Sequence, residues 1–179
     1  MKKAGYIFLL CTTLIATVQA QKVFQTKAGK IKFFSTAPLE NIAAVNNQVD
    51  SKIATNGQMV FMVAIRGFRF ENATMQEHFN ENYMESDKYP KASYMGNIIN
   101  LSDINFLKDG IYNATTIGDL EIHGVKRKVT TAGIIEIKSG KLYIKSIFKI
   151  KLADYNIKGA WIGEKIAKEI EITIDCKYD

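Results

Sequence analysis

The feature that most narrows the fold of this chain is its regular alternation of apolar and polar residues towards the C-terminus. Ile170, Ile172, Ile174, Cys176 and Tyr178 share one parity, and Glu169, Glu171, Thr173, Asp175 and Lys177 share the other. The stretch from Lys141 to Leu152 repeats the pattern: Leu142, Ile144, Ser146, Phe148, Ile150 and Leu152 oppose Lys141, Tyr143, Lys145, Lys149 and Lys151. A period of two puts one set on a buried face and the other in water, which a strand does and a helix does not. Ser139-Gly140 before the first of these stretches reads as a tight turn.

The same reasoning extends to most of the chain. In Gly118 to Val129, Leu120 and Ile122 alternate with Asp119, Glu121 and His123. Gly124 supplies the turn, and Val129, Thr131 and Gly133 resume the alternation, giving a β-hairpin with His123 on the wet face. Further strands are expected over 29–35, 43–53 (Val45, Val49, Ser51 and Ile53 on one face), 58–66 (Met59, Phe61, Val63 and Ile65 on one face) and 92–101. Asp109-Gly110 opens the strand that runs to His123, and another spans 127–138. Asn56-Gly57 is a hairpin turn. Residues 74–85 break the pattern: Thr74-Met75-Gln76-Glu77 has the form of a capping box, and Met75, Phe79 and Tyr83 recur on one helical face. Tyr89-Pro90 ends that helix. The expectation is therefore an all-β fold of eight antiparallel strands with one short helix. Closure into a barrel would remove the sheet edges, and a two-sheet sandwich is the alternative.

The first twenty residues stand apart. Lys2 and Lys3 precede an apolar run from Ile7 to Ile15, and Val18-Gln19-Ala20 places small residues where a signal peptidase would cut. The run is too short to span a membrane. This predicts a signal peptide over 1–20, cleavage near Ala20 and a mature domain over 21–179 in the periplasm or outside the cell. The formal charge of +6 loses Lys2 and Lys3 on processing, leaving a modest +4. No Lys/Arg run interleaved with aromatics suggests a nucleic-acid partner. Cys176 would be the one cysteine left, which rules out an internal disulfide.

Catalytic chemistry is poorly represented. The two histidines, His78 and His123, form no triad pattern, and His78 with Glu81 on one helical turn is a weak metal motif. No catalytic residue and no metal ligand is assigned. Cys176 falls on an apolar face, where a thiol is buried and inert. The inward parities collect Phe61, Val63, Ile65, Tyr94, Ile98, Leu120, Ile122, Ile135, Ile144, Phe148, Ile150, Ile170, Ile172 and Ile174. These residues suit either a solid core or the wall of a tunnel. Met75, Phe79 and Tyr83 on the helix, with Trp161 in the late irregular stretch, either form a tunnel mouth or pack the helix onto the barrel.

Three segments resemble the YceI-like family: F-N-E-N-Y-M-E-S-D-K-Y-P-K-A-S-Y over Phe79–Tyr94, T-I-G-D-L-E-I-H-G-V ending at Val125, and F-K-I-K-L-A-D-Y-N-I followed by the alternating last strand over Phe148–Ile174. Tyr94 stands where the family usually has Phe. The resemblance implies a lipocalin-like barrel with a helix near one end and a long internal cavity. It also implies a non-catalytic role in binding, sequestering or carrying a polyisoprenoid, an isoprenoid quinone or a fatty-acid derivative. No cofactor beyond such a bound lipid is expected. The partner would be a long-chain apolar molecule, with room for transient membrane-surface contact and for a homodimer. The rival reading is an envelope stress protein whose packed barrel works through protein contacts.

Overall fold

The structure is a computed structural model that describes residues 21–179; the expected signal peptide lies outside them. Eight long strands and a two-residue one form a single antiparallel sheet: β1 Val23–Thr36, β2 Asn41–Ala54, β3 Gln58–Ala64, β4 Arg69–Phe70, β5 Lys91–Ile98, β6 Gly110–Ile122, β7 Val125–Lys138, β8 Lys141–Lys151 and β9 Glu169–Tyr178. The order β1-β9-β8-β7-β6-β5-β3-β2, with β2 pairing back onto β1, closes the sheet into an eight-stranded barrel, and the short β4 pairs with Ala44 and Val45 of β2 on the side that β3 takes at residues 50–53. Closure leaves no free sheet edge along most of the wall.

Two bulges set the inward parity of the longest hairpin. The β1–β2 register shifts between Thr26 and Gly29 and again between Gly29 and Ile31. In β2 the buried set consequently runs Ala44, Asn46, then Val49, Ser51 and Ile53. Val45 does not share the face of Val49, contrary to the expectation from spacing, because an extra residue at 47–48 inverts the alternation. The amide of the fully buried Asn46 heals the break: its Oδ1 accepts from Gln48 N at 2.8 Å and its Nδ2 donates to Ala64 O at 2.9 Å.

The barrel has two unlike ends. One holds the turns at 55–57 and 139–140, the 99–109 connection and the chain's C-terminus. This end is a solid floor built from Phe24, Val49, Ile53, Ile137, Leu142 and Tyr178. Tyr178 is fully buried, its hydroxyl 2.8 Å from Ser51 Oγ, which in turn donates to Val60 O at 2.9 Å. Cys176 is likewise fully buried.

The other end carries the β1–β2 and β6–β7 turns, the helical segment and the 152–168 connection. Helix α1 spans Ala73–His78 and continues as a π-helical turn over Phe79–Tyr83. Its cap is not the expected Thr74–Glu77 box. Asn72 occupies the cap position, its Oδ1 accepting from Thr74 N at 2.8 Å and Met75 N at 3.2 Å, so Thr74 already lies inside the helix.

Candidate functional site

Above the floor the inward faces do not meet. They enclose a cavity of about 620 Å3 that opens at the helical end. Its size falls in the range of small-molecule sites, and its lining is overwhelmingly apolar. Part of the room comes from one level of the wall, where Ala114 of β6, Gly133 of β7 and Ser146 of β8 lie side by side. Three small side chains in a row leave a recess that larger residues would fill.

Of the residues expected on the wall, Phe61, Val63, Ile65, Tyr94, Leu120, Ile122, Ile135, Ile144, Phe148, Ile150, Ile170, Ile172 and Ile174 all line this cavity. Ile98 does not. It is buried in the floor cluster, below the open space, so its inward parity leads to packing rather than to the tunnel. Met75, Phe79, Tyr83 and Trp161 are brought together at the open end, where they line the cavity with Glu40, His78 and Lys165. Phe79 also does the packing that the alternative reading required. Its ring lies 5.4 Å from Phe33, 5.6 Å from Phe68 and 5.0 Å from Phe70, tying the helix to the rim. Phe33 lay within reach of parity, since it alternates regularly with Ile31 and Ser35 on β1 and all three line the cavity. Phe68 and Phe70 did not, because they follow a 3-10 turn over Ile65–Gly67, where period two does not apply.

One polar chain crosses the apolar wall. Tyr94 donates to Thr116 Oγ1 at 2.9 Å, and Thr116 and Thr131 hydroxyls are 2.9 Å apart. Burial pushes the Tyr94 phenol above its ordinary range, so it stays a neutral donor. The Tyr94 ring lies flat along the wall because Gly96 and Gly118, paired across β5 and β6, leave space beneath it. A Cβ on Gly118 would sit 2.7 Å from the ring and 2.5 Å from the Met95 carbonyl oxygen.

His123 is not where the alternation put it. It is buried, at φ +52° in the β6–β7 turn, with its ring turned into the protein. Nε2 lies 2.7 Å from Glu85 Oε2 and Nδ1 lies 3.1 Å from the Tyr155 carbonyl, while the Tyr89 ring packs edge-on at 4.4 Å. The left-handed backbone ends the strand's parity at this residue, so a face inferred from Leu120 and Ile122 does not carry over. His123 thus joins the end of the helical segment to the 152–155 turn and faces no reacting centre. Among the described residues, no three His, Cys, Asp or Glu side chains cluster as metal ligands would. Burial pushes the Cys176 thiol up to about 11, which keeps it protonated.

A closed antiparallel barrel with a short helix at its open end and a dry interior matches known architecture. The YceI-like domain model matches residues 15–178. The chain belongs to the YceI-like family. Solved structures agree on the fold. A polyisoprenoid binding domain from Saccharophagus degradans, implicated in plant cell wall breakdown, superposes with a TM-score of 0.75 at 13% identity, covering 88% of this chain and 97% of that one. BcnA of Burkholderia cenocepacia gives 0.71 at 14% identity, covering 84% and 96%. The Campylobacter jejuni YceI protein gives 0.53 at 14% identity, covering 100% and 99%. No curated protein matches the chain.

Proposed function

We propose that this protein is a non-catalytic carrier that holds one long apolar chain, such as a polyisoprenoid, an isoprenoid quinone or a fatty-acid derivative, inside the barrel. The observation that carries this reading is the apolar cavity of about 620 Å3, closed by a packed floor and open beside Met75, Phe79, Tyr83 and Trp161. Each methylene moved from water into such a space gains roughly 0.8 kcal/mol, so about ten of them gain roughly 8 kcal/mol. Part of that offsets the ligand's lost freedom. Affinity of this kind needs shape and dryness rather than many polar anchors, which suits a wall where Tyr94, Thr116, Thr131, Ser35 and Ser146 already have hydrogen-bond partners within the protein. A barrel packed solid throughout, the rival reading, sits poorly with an interior of this size. The polyisoprenoid binding domain of Saccharophagus degradans, alike in fold, supports the choice of ligand class.

Native mass spectrometry of freshly purified protein, with solvent extraction of what co-purifies, tests the reading. A bound long-chain molecule at one per barrel is expected. A barrel that is reproducibly empty and takes up neither prenyl nor acyl chains refutes it. We place the carrier in the periplasm or outside the cell after cleavage near Ala20; N-terminal sequencing of exported protein should then begin at Gln21.

A further inference from the structure

The seam between β7 and β8 is one place where strand pairing in the barrel wall stops short. From the 139–140 turn the two strands pair as far as Gly133–Ser146 and no farther. Beyond it, residues 125–132 of β7 pair only with β6 and residues 147–151 of β8 only with β9. At the last rung the Ser146 hydroxyl donates to the Ala132 carbonyl at 2.7 Å. At the open end the 152–155 turn crosses back to β7, with Arg127 Nε donating to the Asp154 carbonyl at 2.9 Å. The seam is therefore a slit framed at both ends and not a frayed edge. Free strand edges are normally paired or covered.

Outside the slit lies a second hollow of about 480 Å3. Val129 and Ile150 line both this hollow and the main cavity, so these two side chains form the shared wall between a dry tunnel and a charged recess. Arg127, Lys128, Lys149 and Lys151 rim the recess against the carboxylates of Asp154 and Glu169. Lys151 takes Glu169 at 3.9 Å. Lys128 and Lys149 form no salt bridge among the described residues, although Asp119 and Glu171 are their cross-strand neighbours.

We propose that this recess receives the anionic head, a carboxylate or a phosphate, of an amphiphile whose chain passes between Val129 and Ile150 into the tunnel. The inference rests on the carrier reading above and names the class of ligand carried. An ionised head cannot follow its chain into an apolar cavity without a large desolvation cost. In the recess it keeps part of its water and meets two unpaired ammonium groups. The helical-end mouth is less suited, since its lysine, Lys165, lies over the Trp161 ring at 4.5 Å and shares the lining with the Glu40 carboxylate.

The test compares cis-parinaric acid with its methyl ester, read by energy transfer from Trp161, the single tryptophan of the chain. The acid should bind about tenfold tighter than the ester at low ionic strength. In the double variant Lys128→Glu/Lys149→Glu that preference should fall below about threefold, while ester affinity, which reports an intact barrel, holds. Lys165→Glu should leave the preference in place. Equal binding of acid and ester by the unaltered protein overturns the proposal, as does a preference that survives the double reversal or one abolished by Lys165→Glu. Binding of neither probe overturns this inference, while uptake of a prenyl chain, measured separately, decides whether the carrier reading stands.

Discussion

Replacing Phe148 by tryptophan separates an open tunnel from a packed core, and Phe24 provides the matched control. Phe148 projects from β8 opposite Ile172 and lines the cavity, so the larger indole extends into empty space. Its cost in stability should stay below about 1 kcal/mol. Phe24 is fully buried in the floor, stacked on Phe106 at 6.2 Å, and lies outside the cavity lining. The same enlargement there overpacks a filled site and should cost about 1–3 kcal/mol. For a domain of this size each kcal/mol moves Tm by about 2–4 °C, so Phe148→Trp should lower it by at most about 4 °C and Phe24→Trp by up to about 12 °C. Binding should change in the opposite order. If the indole displaces about three methylenes of the bound chain, roughly 2.4 kcal/mol is lost, or about sixtyfold in Kd. Thermal unfolding of delipidated protein and competition with a fluorescent acyl probe measure the two effects. Equal losses of Tm in both variants, or unchanged affinity in Phe148→Trp, would refute the assignment of this space as a ligand cavity.

Other consequences concern the parts that hold the cavity in shape. His123→Ala strips partners from the Glu85 carboxylate and the Tyr155 carbonyl and should cost about 1–3 kcal/mol, with faster amide exchange over residues 85–89. Because φ at His123 is +52°, His123→Asn should retain the turn and report the loss of the ring contacts alone. Gly118→Ala drives a Cβ to 2.5 Å from the Met95 carbonyl oxygen and should destabilise by more than about 2 kcal/mol, seen as a lower urea midpoint. The Cys176 thiol is pushed up from 9.0 to about 11, chiefly by burial, so the fold favours the neutral form. That contribution is complete below pH 9 and is lost as pH rises through about 11; the urea midpoint should fall across this window in the native chain and less so in Cys176→Ala. A thiol reagent at pH 8 should modify Cys176 only after unfolding.

Alternation made the barrel legible wherever a strand runs without interruption. Along β8 and β9 every inward residue was placed correctly, because a pleated strand with one wet face admits a single parity. The reading failed where the backbone departs from the pleat. The bulge at 47–48 inverted the faces of β2, and the left-handed turn at His123 swung a ring inward that parity assigned to water. Depth was illegible for a different reason. Ile98 and Tyr94 share parity on β5, yet one lies in the floor and the other beside the tunnel. Parity reports which side of a sheet a residue faces; whether its opposite number reaches it depends on neighbours brought in by long-range closure, such as Leu101, Ile104 and Phe106 from the 99–109 connection. The slit between β7 and β8 is invisible in sequence for the same reason, since the inward and outward faces of both strands continue past the point where their pairing stops.

The hairpin from Gly118 to Val125 acquires a physical meaning residue by residue. Gly118 leaves room for the Tyr94 ring, whose hydroxyl begins the polar chain through Thr116 and Thr131. Leu120 and Ile122 line the tunnel. His123 fastens Glu85, at the end of the helical segment, to Tyr155 in the turn that frames the slit. Gly124 turns the chain at φ +71° against the Tyr89 ring, where a Cβ would lie 2.5 Å from a ring carbon. Phe79 ties the helix to the rim, and from the 152–168 connection Ala167 N donates to Ser35 Oγ at 2.9 Å. His123 joins these two segments to each other, so the geometry of both openings also depends on this corner. A histidine in such a position acts on the ligand only through the elements it positions. Its replacement should therefore loosen retention of a bound chain, and it should do so without touching the chain itself.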